Sequence, residues 1–273
     1  MADAFKERKS LEQYAKETGM RRFAGKVAIV TASAGAGIGQ ATVRRLASEG
    51  ANVVINDIHE RRIEDFSKAV AADYGVETLG IVCDASQKDQ VENVVKQTLD
   101  KWGRIDILVN NAARNIPEPI WEMKDETWDI VIKVCIYGTM YFTRAVLPTM
   151  IKQKYGRIVG LSSGGAWIGC ADGQSHYCPS KAFVASFMRC VGAEVAPLGD
   201  ITCNAVAPGA IWNPFHTRIY GEKAAEEWVK GVPLGWLGYP EEVAAMIAYF
   251  CSDDARWLTG ETMGIAGGAY MHH

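Results

Sequence analysis

The residues best placed to do chemistry are Tyr177 and Lys181, which stand four positions apart in the sequence HYCPSK. If this segment is helical, the two side chains share one face, because positions i and i+4 are neighbours on a helix. A lysine ammonium beside a phenol favours the phenolate and lowers the phenol pKa from about 10 toward neutral pH. We therefore predict that Tyr177 is a general acid/base for a carbonyl or hydroxyl oxygen. The spacing alone is weak evidence, since a Tyr and a Lys four apart occur by chance in many chains.

A serine strengthens this hypothesis. Ser163 lies fourteen residues before Tyr177, just after a predicted strand at Arg157–Leu161. A hydroxyl at that point can hydrogen-bond the same substrate oxygen and stabilise the charge that develops on it. The sequence therefore predicts a catalytic set of Ser163, Tyr177 and Lys181.

A second chemical feature is a glycine-rich turn after the first predicted strand, Val27–Thr31. Glycines there allow the backbone to approach a pyrophosphate, whose charge then lies at the N-terminus of the following helix. A glycine cluster alone is weak evidence, but its position directly after the first strand strengthens it. The turn residues predicted to bind the cofactor are Ser33, Gly35, Gly37, Ile38 and Gly39.

The cofactor predicted from the second strand is NAD. Asp57 ends that strand, twenty residues after Gly37, where a carboxylate can accept hydrogen bonds from both ribose hydroxyls and would repel a 2′-phosphate. Arg61 and Arg62 are the opposing evidence, because an arginine can bind that phosphate. Their spacing places them on the next helix, where we expect a solvated face.

The elements that must position these residues alternate along the chain from Lys26 onward. Short β-branched runs are separated by helix-length segments, which predicts a parallel sheet covered on both faces. The predicted fold class is α/β, a single doubly wound Rossmann-type sheet with helices on both faces. One domain is predicted over residues 25–273. Residues 1–24 are predicted to form an N-terminal extension, either a solvated arm or a helix that contacts another subunit.

Composition excludes several classes of protein. The chain has 273 residues, 48% of them hydrophobic, and a net charge of −3, which favours neither nucleic acid nor an anionic membrane as a partner. No continuous apolar run approaches the ~18 residues of a membrane span. Seven cysteines without a CxxC pair favour reduced thiols and a cytoplasmic location, and no metal site is predicted.

Taken together, these motifs resemble the short-chain dehydrogenase/reductase superfamily over residues 25–270. Besides the glycine turn and the catalytic set, the resemblance rests on Asp84, on NNAA at positions 110–113, on NAVAPG at 204–209, and on GYPEEV at 238–243. It implies that Asp84 and Ala85 hold the adenine and that Asn111 lies on the ribose side. It further implies that Lys181 holds the nicotinamide ribose. Members are commonly homotetramers or homodimers. The residues implied to border the nicotinamide are Pro208, Gly209 and Ile211.

The chain departs from the family pattern within the turn. Ala32 replaces the first glycine and the turn is one residue longer, so the phosphate geometry is open to change. Users of NADP often carry Arg or Lys here, whereas this chain has Ala34-Gly35-Ala36, which again favours NAD. Smaller departures are Ala113, Asn213 and Ala266.

The largest departure is Cys135, which stands where the family usually has an asparagine that positions a proton-relay water. A thiol is a weak hydrogen-bond partner. Three interpretations remain open: a relay through other groups, a slower enzyme, or altered chemistry.

The substrate side is predicted around a lid at residues 211–232. Trp212 and Phe215 in that loop, with Trp167 after the serine, suggest a bulky apolar or alicyclic substrate. The alternative is that these rings only pack the lid or a subunit interface. Arg114 could bind a carboxylate or phosphate, including that of a coenzyme A thioester, although a surface salt bridge is the favoured interpretation.

Four further residues near the site are interpreted as having no chemical role. His176 and His216 are interpreted as non-catalytic. Cys170 and Cys178 are interpreted as packing residues rather than as a disulfide or metal pair.

The sequence therefore predicts an NAD(H)-dependent oxidoreductase that interconverts a secondary alcohol and its ketone. One alternative is a catalytically weak NAD-binding regulator or scaffold, supported by Cys135. Another is a dehalogenase or dehydratase of the same fold, which the intact dinucleotide-binding residues disfavour.

Overall fold

A computed structural model of the chain describes residues 21–213, 221 and 223–271. Its core is one parallel sheet of seven strands in the order β3-β2-β1-β4-β5-β6-β7. The strands are β1 Val27–Val30, β2 Asn52–Asp57, β3 Thr78–Val82, β4 Ile107–Asn110, β5 Tyr155–Leu161, β6 Asp200–Pro208 and β7 Thr262–Ile265. The predicted doubly wound α/β fold is confirmed.

Helices connect the strands and cover both faces of the sheet. They are α1 Ile38–Ser48, α2 Glu60–Tyr74, α3 Lys88–Trp102, α4 Asp125–Ile132, α5 Gly138–Gln153, α6 Tyr177–Val195, α7 Ala224–Lys230 and α8 Pro240–Cys251. A π-helical turn, Lys133–Tyr137, joins α4 to α5 without a break in the rod. The chain order reverses between β1 and β4, and α/β folds bind ligands in the crevice at such a point.

Alternating strand residues divide the interior into two cores. Ala28 and Val30 of β1 face a core completed by α1, α2 and α8, whereas Ile29 faces a core completed by α3, α5 and α6. Both faces of β1 and β4 are therefore buried, which explains their continuous apolar sequence.

The rod from α4 through α5, Asp125–Gln153, is long and apolar enough to span a membrane by length and composition. The rod is not a continuous apolar run, because charged residues such as Lys133 and Arg144 interrupt it. Its inner face packs Phe142, Val146 and Met150 into the core, as a covering helix of an α/β sheet does. Only 39% of its most apolar window is buried, so its outer face carries exposed apolar side chains.

Candidate active site

The predicted cofactor and catalytic residues that the structure describes meet at the carboxyl ends of the strands. The glycine turn follows β1, Asp57 ends β2, Asp84 follows β3, and Asn111 follows β4. Ser163 follows β5 two residues after its end, and Pro208 ends β6. Parallel strands bring all these positions to one edge of the sheet, so residues far apart in sequence line a single crevice.

The glycine turn is held in shape by Asn111 and Thr31. The Asn111 side-chain amide donates to the carbonyls of Thr31 and Ala32 at 2.9 and 3.1 Å. The Thr31 hydroxyl accepts from the backbone amides of Asn111 and Ala112 at 2.9 and 2.8 Å. Asn111 therefore ties the turn after β1 to the end of β4.

Gly39 is the turn residue whose missing side chain matters most. A Cβ atom there would lie 2.5 Å from Asn111 Nδ2 and 2.7 Å from the Ala32 carbonyl oxygen. Any larger residue would push apart the turn and the asparagine that braces it.

Ala32 adopts a left-handed backbone conformation with φ of 50°. The family pattern has glycine at this position. For an L-residue this conformation is unfavourable by about 1–2 kcal/mol. The turn therefore keeps the glycine geometry although the glycine is gone.

The start of α1 suits the phosphates of a dinucleotide. Gly37 precedes the helix, with no side-chain cap and no acidic residue in the first turn. The first amides of a helix lack internal partners and attract anions. The Ser33 hydroxyl is buried beside them and has no hydrogen-bond partner within the described residues. These features fit the predicted pyrophosphate cradle.

The end of β2 presents one carboxylate and one nearby guanidinium. Asp57 Oδ1 accepts from the backbone amides of Ile58 and His59 at 2.8 and 3.3 Å. Arg62 is exposed, and its Nη1 lies 3.9 Å from the point where a Cβ of Gly35 would stand. Arg62 therefore reaches the cofactor turn, which the sequence interpretation of a solvated helix face did not anticipate.

The predicted adenine residues follow β3. The Asp84 amide donates to Gln90 Oε1 at 2.8 Å, and Asp84 Oδ1 accepts from the Ser86 amide at 2.8 Å. Ala85 is buried against Gly138, where an added Cβ would lie 3.1 Å from the alanine Cβ. These contacts fix the backbone of Asp84 and Ala85 at the outer side of the crevice.

Ser163 caps a short 3₁₀ turn, Gly164–Ala166, and its hydroxyl accepts from the Gly165 amide at 3.2 Å. A Cβ on Gly165 would lie 3.6 Å from Ser163 Oγ and 2.9 Å from Cys178 Sγ. Cys178 directly follows Tyr177. The structure therefore brings the serine against the start of the helix that carries the tyrosine.

Tyr177 and Lys181 lie on the first turn of α6, so the predicted helical spacing is confirmed. Lys181 Nζ lies 5.5 Å from the centroid of the Tyr177 ring and donates to the Leu161 carbonyl at 2.6 Å. The Ser162 hydroxyl donates to the Lys181 carbonyl at 2.7 Å. The end of β5 thus holds both the side chain and the backbone of the lysine.

Lys181 is only 3% exposed, and no carboxylate within the described residues is within ion-pair distance of it. Burial lowers the pKa of Lys181, and the nearby Cys135 thiol opposes that shift. An unpaired buried ammonium is costly, so a functional reason for it is expected.

The residues predicted to border the nicotinamide follow β6. The Gly209 amide donates to the Ile265 carbonyl at 3.0 Å, and a Cβ on Gly209 would lie 2.7 Å from the Ala266 Cβ. Ile211 pairs with Gly238 in an isolated bridge and is 2% exposed. This close packing leaves Gly209 and Ile211 at the crevice in fixed positions.

Comparison with known proteins agrees with this geometry. A family model described as enoyl-(acyl carrier protein) reductase matches residues 32–270. The 3-oxoacyl-(acyl-carrier-protein) reductase FabG of Thermotoga maritima is 39% identical over 247 residues, covering 90% of this chain and 98% of the relative. The chain belongs to the short-chain dehydrogenase/reductase superfamily. It is thus an oxidoreductase whose fold binds a nicotinamide dinucleotide.

Two further relatives differ in what their names say they act on. Subunit BbsD of a hydroxy(phenyl)methyl-succinyl-CoA dehydrogenase from Thauera aromatica is 38% identical, covering 89% of this chain and 96% of the relative. The crystal structure of a levodione reductase superposes with a TM-score of 0.85 at 32% identity, covering 90% of this chain and 98% of that structure.

This dehydrogenase/reductase places Cys135 in the π-helical turn, 1% exposed. The thiol contacts the backbone of Arg114, with Sγ 3.4 Å from the amide nitrogen and 3.5 Å from the carbonyl oxygen. Burial raises the pKa of Cys135, and the Lys181 charge opposes that rise. Cys135 is therefore a neutral thiol bound to the loop after β4.

Among the described residues, the predicted substrate residues Trp167 and Trp212 pack against different neighbours. Trp167 is 38% exposed, and its ring stacks on Tyr270 with centroids 6.2 Å apart. Trp212 instead packs against the small apolar group of Ala225, Val232 and Leu237. Phe215 and His216 lie outside the described residues.

Arg114 is exposed, and no carboxylate within the described residues pairs with it. The surface salt bridge that the sequence favoured for Arg114 is thus not formed within that part of the chain.

Sequence reasoning assigned no function to two thiols and one imidazole beside the site. Cys170 and Cys178 are free thiols that converge on Gly165, and burial followed by a hydrogen bond with Cys170 raises the pKa of Cys178 to about 12. His176 is 0% exposed and hydrogen-bonds the amide of Tyr177. The signal that could have indicated His176 is its place directly before the catalytic helix, where capping residues stand.

Proposed function

We propose that this protein is an NAD(H)-dependent oxidoreductase that interconverts a secondary alcohol and its ketone. The observation that carries the proposal is the buried ammonium of Lys181 over the Tyr177 ring, next to Ser163 and the predicted dinucleotide cradle, with no carboxylate paired to it in the described part of the chain. A buried charge without a carboxylate is maintained at an energetic cost, and here its nearest use is to favour an ionised tyrosine.

Each catalytic residue has one task at the substrate oxygen. In the oxidative direction Tyr177 accepts the hydroxyl proton at its phenolate oxygen, and in the reductive direction it returns that proton. Ser163 donates a hydrogen bond to the same oxygen and holds it in place. Lys181 favours the phenolate through its charge. The bound nicotinamide supplies or takes up the hydride, and binding both partners in one crevice orients them.

NAD rather than NADP is proposed because Asp57 ends β2 with one oxygen bound to its own turn and Oδ2 without a partner in the described residues. That oxygen suits a ribose hydroxyl and repels a 2′-phosphate. Arg62 beside Gly35 acts in the opposite sense, since a guanidinium attracts a phosphate. The carboxylate is placed at the strand end itself, whereas Arg62 is on an exposed helix, so Asp57 is expected to dominate.

The proposed substrate is bulky and apolar or alicyclic, with an acyl thioester of coenzyme A as one form. Trp167 offers a flat, partly exposed ring next to the 3₁₀ turn of Ser163. Arg114 offers an exposed positive charge at the loop after β4, suited to a phosphate. Relatives named for acyl-carrier-protein, coenzyme A and levodione substrates are consistent with this class.

Residues 211–232 are proposed as a lid over this substrate. Trp212, Trp228 and Val229 pack with Ala225, Val232 and Leu237 as a small apolar group separate from the two main cores. Because Ile211 is buried in a main core and bridged to Gly238, the proposed movement is confined to the residues that follow it.

A homo-oligomer, a dimer or tetramer, is proposed from the outer face of the α4–α5 rod. Trp128, Ile130 and Tyr137, all on this rod, are 40–44% exposed. A second copy of the same face would cover them, since a twofold interface is self-complementary. Sedimentation equilibrium of the purified protein measures the assembly directly.

The alternative, an NAD-binding regulator with weak catalysis, is supported by Cys135. Its thiol contacts the Arg114 backbone, and position 135 supplies no asparagine amide for a relay water. The intact Ser163, Tyr177 and Lys181 favour the enzyme.

The test is the oxidation of NADH and of NADPH by the purified protein against cyclic ketones, steroids and keto-acyl thioesters. We expect turnover with NADH, and an Asp57→Asn variant should narrow the preference for NADH over NADPH. Tyr177→Phe should lower kcat by about 10²–10⁴-fold while NADH binding, followed by fluorescence titration, persists. Full activity of Tyr177→Phe would overturn the mechanism, and NADH binding without turnover on any substrate would favour the regulator.

A further inference from the structure

The imidazole of His176 is placed to control the orientation of Tyr177. Its ring is fully buried, and Nδ1 accepts a hydrogen bond from the Tyr177 backbone amide at 2.8 Å. Nε2 lies 3.0 Å from the Ile116 carbonyl oxygen. Because Nδ1 is the acceptor, the single proton of the neutral ring must be on Nε2, where it donates to Ile116.

These two bonds join the two loops that flank the candidate active site. The loop after β4 contains Ile116, and the loop before α6 contains His176. Around the ring, Asn115 Nδ2 donates to Gln174 Oε1 at 3.1 Å and the Glu118 amide donates to the Gly173 carbonyl at 2.9 Å. His176 is the buried centre of this contact between the loops.

The helix α6 begins at Tyr177, and His176 is its N-cap residue. His176 also anchors the next turn, because its carbonyl accepts from the Ser180 hydroxyl at 2.6 Å. The direction of the Tyr177 Cα–Cβ bond therefore depends on how His176 is held. A catalytic group must be held to about 0.5 Å, and a misplacement of about 1 Å can cost about 10²-fold in rate.

We propose that His176 is a positioning residue for Tyr177. Its neutral imidazole holds Tyr177 in place by accepting a hydrogen bond from the Tyr177 backbone amide and donating one to the Ile116 carbonyl in the loop after β4. The inference rests on the proposed function, in which Tyr177 transfers the proton. It assigns a role to a residue that the sequence had marked as non-catalytic.

Protonation would reverse one of the two bonds. A proton on Nδ1 turns the acceptor into a donor that faces the Tyr177 N–H, so the bond is lost. Burial lowers the pKa of His176 below its ordinary 6.5, while the Ile116 hydrogen bond and the Glu118 carboxylate across the loop contact oppose that shift. The neutral form therefore persists at neutral pH, and the position of Tyr177 is lost as the pH falls through this lowered value.

Two substitutions separate the two bonds. In His176→Asn the side-chain oxygen can take the place of Nδ1 and still accept from Tyr177, whereas the bond to Ile116 is lost. In His176→Gln the longer amide can take the place of Nε2 and still donate to Ile116, whereas the Tyr177 amide loses its acceptor. Each variant is thus the matched control of the other.

The measurement is kcat and KM for ketone reduction from pH 7.5 down to pH 5. This direction is chosen because Tyr177 must then be protonated, so its own ionisation adds no acid limb. We expect His176→Gln to lose about 10–100-fold in kcat with a smaller change in KM, and His176→Asn to stay within about threefold. Wild type should lose kcat toward acid pH, and His176→Asn should not.

Three outcomes would overturn the inference: equal kcat losses in both variants, unchanged kcat in His176→Gln, or an acid limb that persists in His176→Asn. Tyr177→Phe in the same assay separates the two proposals. Full activity of this variant would contradict the proposed function but not the hydrogen bond between His176 and the Tyr177 amide. Hydrogen exchange of the Tyr177 amide, resolved by mass spectrometry, needs no substrate. Faster exchange in His176→Gln than in His176→Asn supports the bond, and equal exchange refutes it.

Discussion

Buried charges are partnered differently at the two ends of the parallel strands. The end where the strands begin is the amino edge, and the end where they finish is the carboxyl edge. At the amino edge, the fully buried Arg157 pairs with Asp200 and Asp253, and the 2% exposed Glu49 pairs with Arg22 and Arg45. At the carboxyl edge, the 3% exposed Lys181 has a carbonyl for a partner and no carboxylate within the described residues.

From this difference we expect the amino edge to be organised for stability and the carboxyl edge for chemistry. A buried charge that is paired and hydrogen-bonded costs little, but removing its partner is expensive. An unpaired buried charge costs stability and is retained where a reaction needs its field. Substitutions at the amino edge should therefore change the free energy of unfolding, and those at the carboxyl edge should change turnover.

The largest expected effect is that of Lys181→Met. Without the ammonium, Tyr177 loses the charge that favours its phenolate, and kcat should fall by about 10²–10⁴-fold. The midpoint of thermal unfolding should stay the same or rise, since an unpaired buried charge is removed. Steady-state kinetics and calorimetry test both parts, with the exposed Lys152→Met as the control. A large loss of stability in Lys181→Met would contradict the contrast between the edges.

The next effect is that of Glu49→Gln at the amino edge. The variant leaves two partly buried arginines without their carboxylate, and we expect a loss of about 3 kcal/mol in the free energy of unfolding, measured in urea. The kcat of the folded enzyme should not change. Glu64→Gln is the control, because Glu64 and Lys68 form a fully exposed ion pair that contributes little to stability. A loss in Glu49→Gln as small as that of the control would defeat the prediction.

The same carboxylate predicts how stability changes with pH. Burial alone would raise the pKa of Glu49, but the hydrogen bonds and charges of Arg22 and Arg45 outweigh burial and lower it below 4.5. Its contribution is therefore complete above pH 4.5 and is lost as the pH falls through the lowered folded-state value. Wild type should lose more stability than Glu49→Gln between pH 5 and pH 3, and parallel curves would contradict this.

The smallest effects compare two left-handed residues, one at each edge. Ala32 has φ of 50° in the cofactor turn and Lys154 has φ of 58° after α5. Ala32→Gly and Lys154→Gly should each gain about 0.5–1 kcal/mol of unfolding free energy, because glycine adopts this conformation without strain. Only Ala32→Gly should weaken NADH binding, by about two- to fivefold, since it loosens the turn that binds the phosphates. Equal NADH affinities in wild type and Ala32→Gly would place Ala32 outside the cofactor site.

The sequence by itself determined the fold class, the succession of strands and helices along the chain, and most of the candidate site. The apolar runs of β1 and β4 are buried on both faces, so their hydrophobicity is continuous and readable. The spacing of Tyr177 and Lys181 is a local property of one helix, and their shared face follows from helical periodicity. The glycine turn and Asp57 were likewise readable because their roles depend on their place after a strand.

Only the tertiary structure decided contacts between segments distant in sequence. The bond of His176 to Ile116 spans 60 residues, and that of Asn111 to Thr31 spans 80. The approach of Arg62 to Gly35 and the capture of Cys135 by the Arg114 backbone likewise join separate elements. No local pattern encodes such pairs, because packing between elements selects them. The sequence predicted the residues to which we assign the chemistry, and the packing selected the residues that hold them in place.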